Sequence, residues 1–282
     1  MDLLNETKYI MKKYNISAAK KFGQNFLIED EIVNEIIASS NITKEDLVIE
    51  IGPGLGTLTK ELLEKAGKVI AIEIDKRMLD ILEDRFKLYD NFQIINDDVL
   101  KVDLKQVIEQ NQIKHAKVVA NLPYYITTPI IMKLLEDKID LKSITVMVQK
   151  EVADRLVTEP GTGDSGAITY GIRYYTEPQR VIEVPSNAFL PAPEVNSTVI
   201  KLDVLEKPPV EVKDEKLLFK IIKVAFMQKR KTLLNGLSNS NLFGSKEEIE
   251  KILLELGFDL RIRGEKLTLG DFTRIANYIS MK

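Results

Sequence analysis

Val48-Ile49-Glu50-Ile51-Gly52-Pro53-Gly54-Leu55-Gly56-Thr57-Leu58-Thr59 is the stretch on which the fold turns. An apolar run enters a Gly-x-Gly-x-Gly turn and leaves it in the amphipathic sequence Leu58 to Lys65, the pattern of a strand, a tight turn and a helix. Glycines there let the main chain come close to a ligand, and the N–H groups of the first helical turn face it. The dinucleotide fingerprint spaces its glycines Gly-x-Gly-x-x-Gly. Here the third comes one residue early, so the loop suits a nucleotide-type ligand without calling for a pyrophosphate.

Three more apolar runs follow. Lys68 to Asp75 carries Glu73 at its end, about 20 residues after the loop, where an acid can accept hydrogen bonds from both hydroxyls of a ribose. Phe92 to Ile95 ends in Asn96-Asp97-Asp98-Val99, whose carboxylates either meet an adenine amine or cap the turn. Glu73 taken alone reads equally well as a solvated strand end. Lys117-Val118-Val119-Ala120 runs into Asn121-Leu122-Pro123-Tyr124. A polar side chain at a strand end, a proline that fixes φ and an aromatic ring make a rigid acceptor beside a stacking surface, suited to a flat base with an exocyclic amine. The order weighs against coincidence. Loop, acid, acid and Asn-x-Pro-Tyr stand at the carboxyl ends of four successive strands, which line one crevice in an open α/β sheet.

Composition narrows the chemistry. With no cysteine and His115 the only histidine, the 282-residue chain can build no disulfide, thiolate nucleophile, histidine triad or Cys/His zinc site, so no metal is expected. His115 reads as a loop residue in a polar stretch before a strand. No run of about 18 uncharged apolar residues is present, and the first residues lack a basic start and apolar core, so a cytoplasmic protein is expected. Net charge is −3, which argues against a general nucleic-acid coat, but the charge is uneven. From Glu206 onward there are 15 basic against 11 acidic residues, and before it 25 against 32. Basic residues concentrate at Lys8, Lys12, Lys13, Lys20 and Lys21, and at Lys220, Lys223, Lys229, Arg230 and Lys231. Each run can be a solvated helix face. Within Phe226 to Asn235, however, Lys229-Arg230-Lys231 between apolar positions suits RNA phosphate contact from a packed helix.

The segments Lys20-Lys21-Phe22-Gly23-Gln24-Asn25-Phe26-Leu27, the glycine loop, Asn121 to Tyr124, Phe189-Leu190-Pro191-Ala192-Pro193-Glu194-Val195-Asn196-Ser197 and Phe226 to Asn235 together resemble the small-subunit (16S) ribosomal RNA adenine dimethyltransferases of the KsgA type. The resemblance covers nearly the whole chain. It implies an S-adenosyl-L-methionine-dependent enzyme that dimethylates the exocyclic amines of two adjacent adenosines in a 3'-terminal hairpin of that RNA. The implied partner is the small ribosomal subunit, an assembly role alongside catalysis is compatible, and a monomer is expected. In that family the cofactor is held at the positions of Asn25, Leu27, Gly52, Gly54, Glu73, Asp98 and Asn121; Asp98 is preferred over Asp97 because it matches the second residue of a Gly-Asp-like pair. Asn121, Leu122, Pro123 and Tyr124 form the catalytic motif. Tyr124 and Phe189 match aromatics that stack on the extruded base, although Phe189 also reads as an anchor for its proline-rich loop.

One segment departs from the pattern. Glu159 to Gly166 replaces a Pro-Gly-Ser-Lys-like loop and spells Gly161-x-Gly163-x-x-Gly166 after a helix rather than a strand, so it reads as a mobile loop and not as a dinucleotide site. Strands near 47–51, 68–73, 92–95, 117–120, 144–149, 179–184 and 198–203 alternate with helical patterns. They predict a Rossmann-like class I methyltransferase α/β sheet of seven strands whose last two form an antiparallel hairpin. Lys207-Pro208-Pro209 is a stiff linker to a small all-α domain, giving a methyltransferase domain over 1–205 and a helical RNA- or ribosome-binding domain over 206–282. The nearest alternative is a large-subunit rRNA adenine methyltransferase of the antibiotic-resistance type, which commonly has Ile at position 122 and is strongly basic. A non-catalytic ribosome-assembly or transcription factor on the same fold would have no need of Gly52, Glu73, Asp98 and Asn121 together. A glutamine-amide methyltransferase generally carries a larger helical domain before the sheet.

Overall fold

In the computed structural model, residues 2–19, 23–111, 113, 115–228 and 230–281 are described. The first elements are an amphipathic helix, α1 (Leu3–Lys13), and a two-residue strand, β1 (Phe26–Leu27). A regular alternation follows: α2 (Asp30–Ser39), β2 (Asp46–Ile51), α3 (Thr57–Lys65), β3 (Lys68–Ile72), α4 (Lys76–Phe86), β4 (Phe92–Ile95), α5 (Leu104–Asn111), β5 (His115–Asn121), α6 (Thr127–Glu136) and β6 (Leu141–Gln149). Then come α7 (Lys150–Val157), α8 (Ala167–Tyr175), β7 (Thr176–Val184), β8 (Phe189–Leu190) and β9 (Ser197–Val204), and after them α9 (Glu215–Met227), α10 (Leu233–Asn239), α11 (Lys246–Glu255) and α12 (Leu269–Ile279). Among the described residues no helix is long and apolar enough to cross a membrane.

Seven strands form one sheet in the order β4-β3-β2-β5-β6-β9-β7. Pairings from β4 through β6 are parallel, and β9 joins β6 antiparallel. Helices cover a parallel sheet on both faces, so its central strands are continuously apolar instead of alternating. All six residues of β2 are accordingly buried. The chain moves outward from β2 to β4 and then returns to the other side of β2 with β5. Strand order therefore reverses between β2 and β5, the place where such sheets bind ligands beyond their carboxyl ends. An ion pair between Lys117 Nζ and Oδ2 of the buried Asp46, at 2.9 Å, ties these two strands together near their starts. His115 pairs with Asp46 as the first residue of β5, so it belongs to a strand and not to the expected loop.

The helices pack through spaced apolar faces. Ile32, Val33, Ile36 and Ile37 of α2 and Leu58, Leu62 and Leu63 of α3 are buried, each worth roughly 1.5–3 kcal/mol when fully removed from water. Gly56, at the start of α3, is demanded by contact as well as by its φ of +84°: a Cβ there would lie 2.5 Å from Cε2 of Phe86.

Two compact units are distinguished, Met1–Ala153 with Pro178–Val204, and Asp154–Glu177 with Leu205–Lys282. The sequence division after residue 205 differs in one respect, since residues 154–177 cluster with the C-terminal helices. Tyr170 gives the reason. It is fully buried, with its ring 5.4 Å from that of Phe226 and 5.0 Å edge-on from that of Phe272, and its hydroxyl donates to the Leu267 carbonyl at 2.6 Å. The loop expected to be mobile is tied into this unit. Gly161 N–H donates to the Tyr170 hydroxyl, Ser165 is fully buried, and Gly166 is the N-cap of α8.

Candidate active site

A cavity opens at the carboxyl ends of β2, β3, β4 and β5. It is lined by ten of the eleven residues assigned from sequence to cofactor, catalysis or base stacking: Asn25, Leu27, Gly52, Gly54, Glu73, Asp98, Asn121, Leu122, Pro123 and Tyr124. The glycine turn holds positive φ at Gly52 (68°), Gly54 (58°) and Gly56 (84°), a path that only residues without a Cβ follow readily. Gly52 N–H donates to the Ile72 carbonyl at 3.0 Å, fixing the turn to the neighbouring strand. A Cβ on Gly52 would meet open space, so its main chain borders the cavity directly.

Glu73 is 5% exposed. Its Oε1 accepts from Asp75 N–H at 2.7 Å and its Oε2 from Gly54 N–H at 3.3 Å, so the carboxylate is aimed by two main-chain donors. Burial raises its pKa and those amides oppose the shift. The next side chain, Ile74, is half exposed on the cavity wall, an apolar surface beside the acid. Asp98 does both things its sequence allowed: it borders the cavity, and its Oδ1 accepts from Leu100 N–H at 3.0 Å to cap the turn.

Asn121 closes β5. Its Nδ2 donates to the Asn25 carbonyl at 3.2 Å, leaving Oδ1 without a partner among the described residues. Leu122 donates its N–H to Met147, and its carbonyl likewise accepts nothing from the described residues. The Pro123 carbonyl is taken by Thr127 Oγ1 and Ile126 N–H. Tyr124 to Ile126 form one 3-10 turn, and the Tyr124 hydroxyl meets Oγ of fully buried Ser197 at 2.6 Å, which holds the ring half-buried at the cavity wall.

Phe189 is placed apart from these ten residues. In the ladder of β1 and β8, Leu27 pairs with Phe189 and Phe26 with Leu190, which carries this strand to the cavity's edge. The Phe189 ring itself is 3% exposed, packed in the core and absent from the cavity wall. Buried there, it fits its plainer reading as an anchor of its loop. The basic patches also differ from expectation. Helix α9 ends at Met227, so Arg230 and Lys231 are exposed in the turn before α10 and not on a packed helix, while Lys229 lies outside the described residues. Lys8 and Lys12 are exposed on α1, Lys13 is paired with Asp84 at 2.8 Å, and Lys20 and Lys21 lie outside the described residues.

Among the cavity residues to which sequence reasoning gave no role are Glu50, Gln24, Ile74 and Tyr125. Glu50 stands inside an otherwise apolar strand, a signal that could have been used. It is 1% exposed, accepts from Thr59 Oγ1 at 2.6 Å, and has its pKa pushed up to about 8 by burial. Gln24 bridges Ala19 N–H and the Asp75 carboxylate, both at 2.9 Å.

Five parallel strands reversing at β2 and β5, with a glycine turn, acids on the next strands and an inserted antiparallel strand, define a class I methyltransferase. The chain matches the ribosomal RNA adenine dimethylase family over residues 15–281. It is 51% identical over 280 residues to the ribosomal RNA small subunit methyltransferase A of Lachnoclostridium phytofermentans, covering 98% of this chain and 97% of that one. A dimethyladenosine transferase from Plasmodium falciparum has the same fold with a TM-score of 0.76 at 27% identity, over 89% of this chain and 95% of that one. The 23S rRNA methyltransferase ErmE gives 0.69 at 22% identity, over 91% and 100%, a likeness of fold alone. The chain belongs to the ribosomal RNA adenine dimethylase family and is an S-adenosylmethionine-dependent methyltransferase.

Proposed function

We propose that this enzyme dimethylates the exocyclic amines of two adjacent adenosines in a 3'-terminal hairpin of small-subunit ribosomal RNA, acting in the cytoplasm as a monomer on an assembled or partly assembled subunit. One observation carries the chemistry. Asn121 spends its nitrogen on Asn25, so two acceptors, its own Oδ1 and the Leu122 carbonyl, are left on consecutive residues beside the Tyr124 ring.

S-adenosylmethionine supplies an electrophilic methyl group on a sulfonium. The residues present fit it: Glu73 would take the ribose hydroxyls, Asp98 the adenine amine, and Gly52, Gly54, Asn25 and Leu27 would line the remainder. Adenine's amine is a poor nucleophile because its lone pair is delocalised into the ring. Accepting both of its hydrogens, Asn121 Oδ1 and the Leu122 carbonyl draw the nitrogen towards a tetrahedral form and direct its lone pair at the methyl group. Tyr124 stacks on the extruded base, worth roughly 1–3 kcal/mol. No general base has to act first, since the methylated cation is acidic and water takes its proton. One hydrogen remains after the first transfer for one of the two acceptors to hold, so a second transfer is chemically allowed. Arg230 and Lys231, with the exposed Lys216, Lys220 and Lys223 of α9, offer phosphate contacts.

The test is incubation with labelled S-adenosylmethionine and small subunits lacking the modification, followed by base-resolved mapping. Label on two adjacent adenosines near the RNA 3' end is expected. Label on large-subunit RNA, or none, overturns the proposal.

A further inference from the structure

We infer that Tyr125 is a stacking platform for the nucleobase that neighbours the target adenosine. This rests on the proposed reaction, because it takes the target base to lie at Asn121 and Tyr124. Tyr125 follows Tyr124 in the same 3-10 turn and lines the same cavity, yet the two rings are held differently. Tyr124 is half-buried with its hydroxyl on Ser197, whereas Tyr125 is 59% exposed and its hydroxyl has no partner among the described residues. One edge of the Tyr125 ring runs along Gly23, where a Cβ would stand 3.5 Å from Cδ1 and 3.6 Å from Cε1. The ring thus passes close to Gly23 and is otherwise largely exposed.

Extruding a base takes a stacking partner away from its neighbour. An accessible aromatic one residue beyond the ring that receives the target can replace that partner, and such stacks accept any base because every base has a π-face. Phe189 cannot serve, being buried in the core. With two adjacent adenosines as substrate, one neighbour of either target is itself an adenine, which has a π-face to stack.

The experiment uses small subunits lacking the modification, either unaltered or reconstituted with an abasic nucleotide in place of one of the two adenosines. Methylation by the wild type, Tyr125→Phe and Tyr125→Ala is measured alongside cofactor affinity by calorimetry. On unaltered subunits Tyr125→Ala should raise KM roughly 10- to 100-fold with kcat little changed, the span expected when a base–aromatic stack is removed, while Tyr125→Phe stays near wild type. The abasic neighbour should penalise the wild type and add little to Tyr125→Ala. An equal abasic penalty in both enzymes overturns the platform alone, as does a Tyr125→Ala defect confined to cofactor affinity, which would make the ring a strut for the Gly23 segment. A wild type that methylates neither kind of subunit overturns the reaction itself, and the platform with it.

Discussion

Asn121 donates through Nδ2 to the main-chain oxygen of Asn25 at 3.2 Å, joining segments 96 positions apart in the chain. The bond engages the nitrogen end of the amide and leaves its oxygen end free among the described residues. An amide carries two donors on nitrogen and one acceptor on oxygen, so a nitrogen engaged by a carbonyl leaves the oxygen for an incoming amine. Asn25 thereby orients Asn121 and borders the cofactor side of the same cavity.

Asn121→Ala should therefore slow methyl transfer far more than it weakens RNA binding. The missing acceptor acts as the amine is forced towards its transition-state shape, and removing one such preorganised group costs on the order of 100-fold or more. Single-turnover methylation at saturating cofactor isolates the chemical step. A near-normal rate there removes Asn121 from the mechanism.

Glu73→Ala should weaken cofactor binding by about 1.5–3 kcal/mol, the worth of hydrogen bonds to a charged group. Because the carboxylate also receives Gly54 and Asp75 N–H groups, thermal melting must first establish that the variant is folded. Calorimetry giving an unchanged affinity in a folded variant would sink the ribose assignment.

Glu50 makes stability depend on pH. Its folded-state pKa is raised from 4.5 to about 8, so the native protein holds a proton that the unfolded chain releases between those values. The sign follows: Glu50's contribution is fully present below about pH 4.5, declines as pH rises, and is gone above about pH 8. Glu73, raised by the same burial, acts in the same direction. Glu50→Gln, which keeps the shape of the protonated acid, should flatten the loss measured as denaturation midpoints from pH 5 to 9. Parallel profiles for variant and wild type would show that the Glu50 carboxyl does not titrate in that window.

Replacing Arg230 and Lys231 by Gln should reduce the salt dependence of subunit docking by up to about 0.9 log unit for each phosphate that is no longer neutralised, if duplex-like counterion release applies. Both side chains are exposed in a turn, so stability should change little, and the cofactor cavity is built from other residues. Wild-type salt dependence in this variant would mean that the turn is merely solvated.

Much of the site was legible because its signals are local. A glycine turn after an apolar run, an acid at the next strand's end and an Asn-x-Pro-Tyr motif each declare themselves within about ten residues, and strand ends in a parallel sheet converge by topology. Arg230 and Lys231 misled for a local reason too. Helix α9 stops at Met227 and α10 begins at Leu233 with Thr232 as its cap, which leaves these two cations in the turn between them.

By itself the sequence determined the alternation of strands and helices, the order of the loop and acids along one crevice, and the residue types that line its cavity, because periodicity and turn chemistry act over short range. Tertiary structure alone decided which way Phe189 faces. In a two-residue strand no periodicity exists to read, and a shift of one position reverses every side chain, so its burial was set only when Leu27 paired with it. The same holds for the Asn121 amide, whose direction waits on a carbonyl 96 positions away, for Glu50, whose raised pKa comes from burial, and for Tyr125, which the fold leaves 59% exposed beside Gly23. Contacts between segments distant in the chain form only with the fold, and no local pattern of residues encodes them.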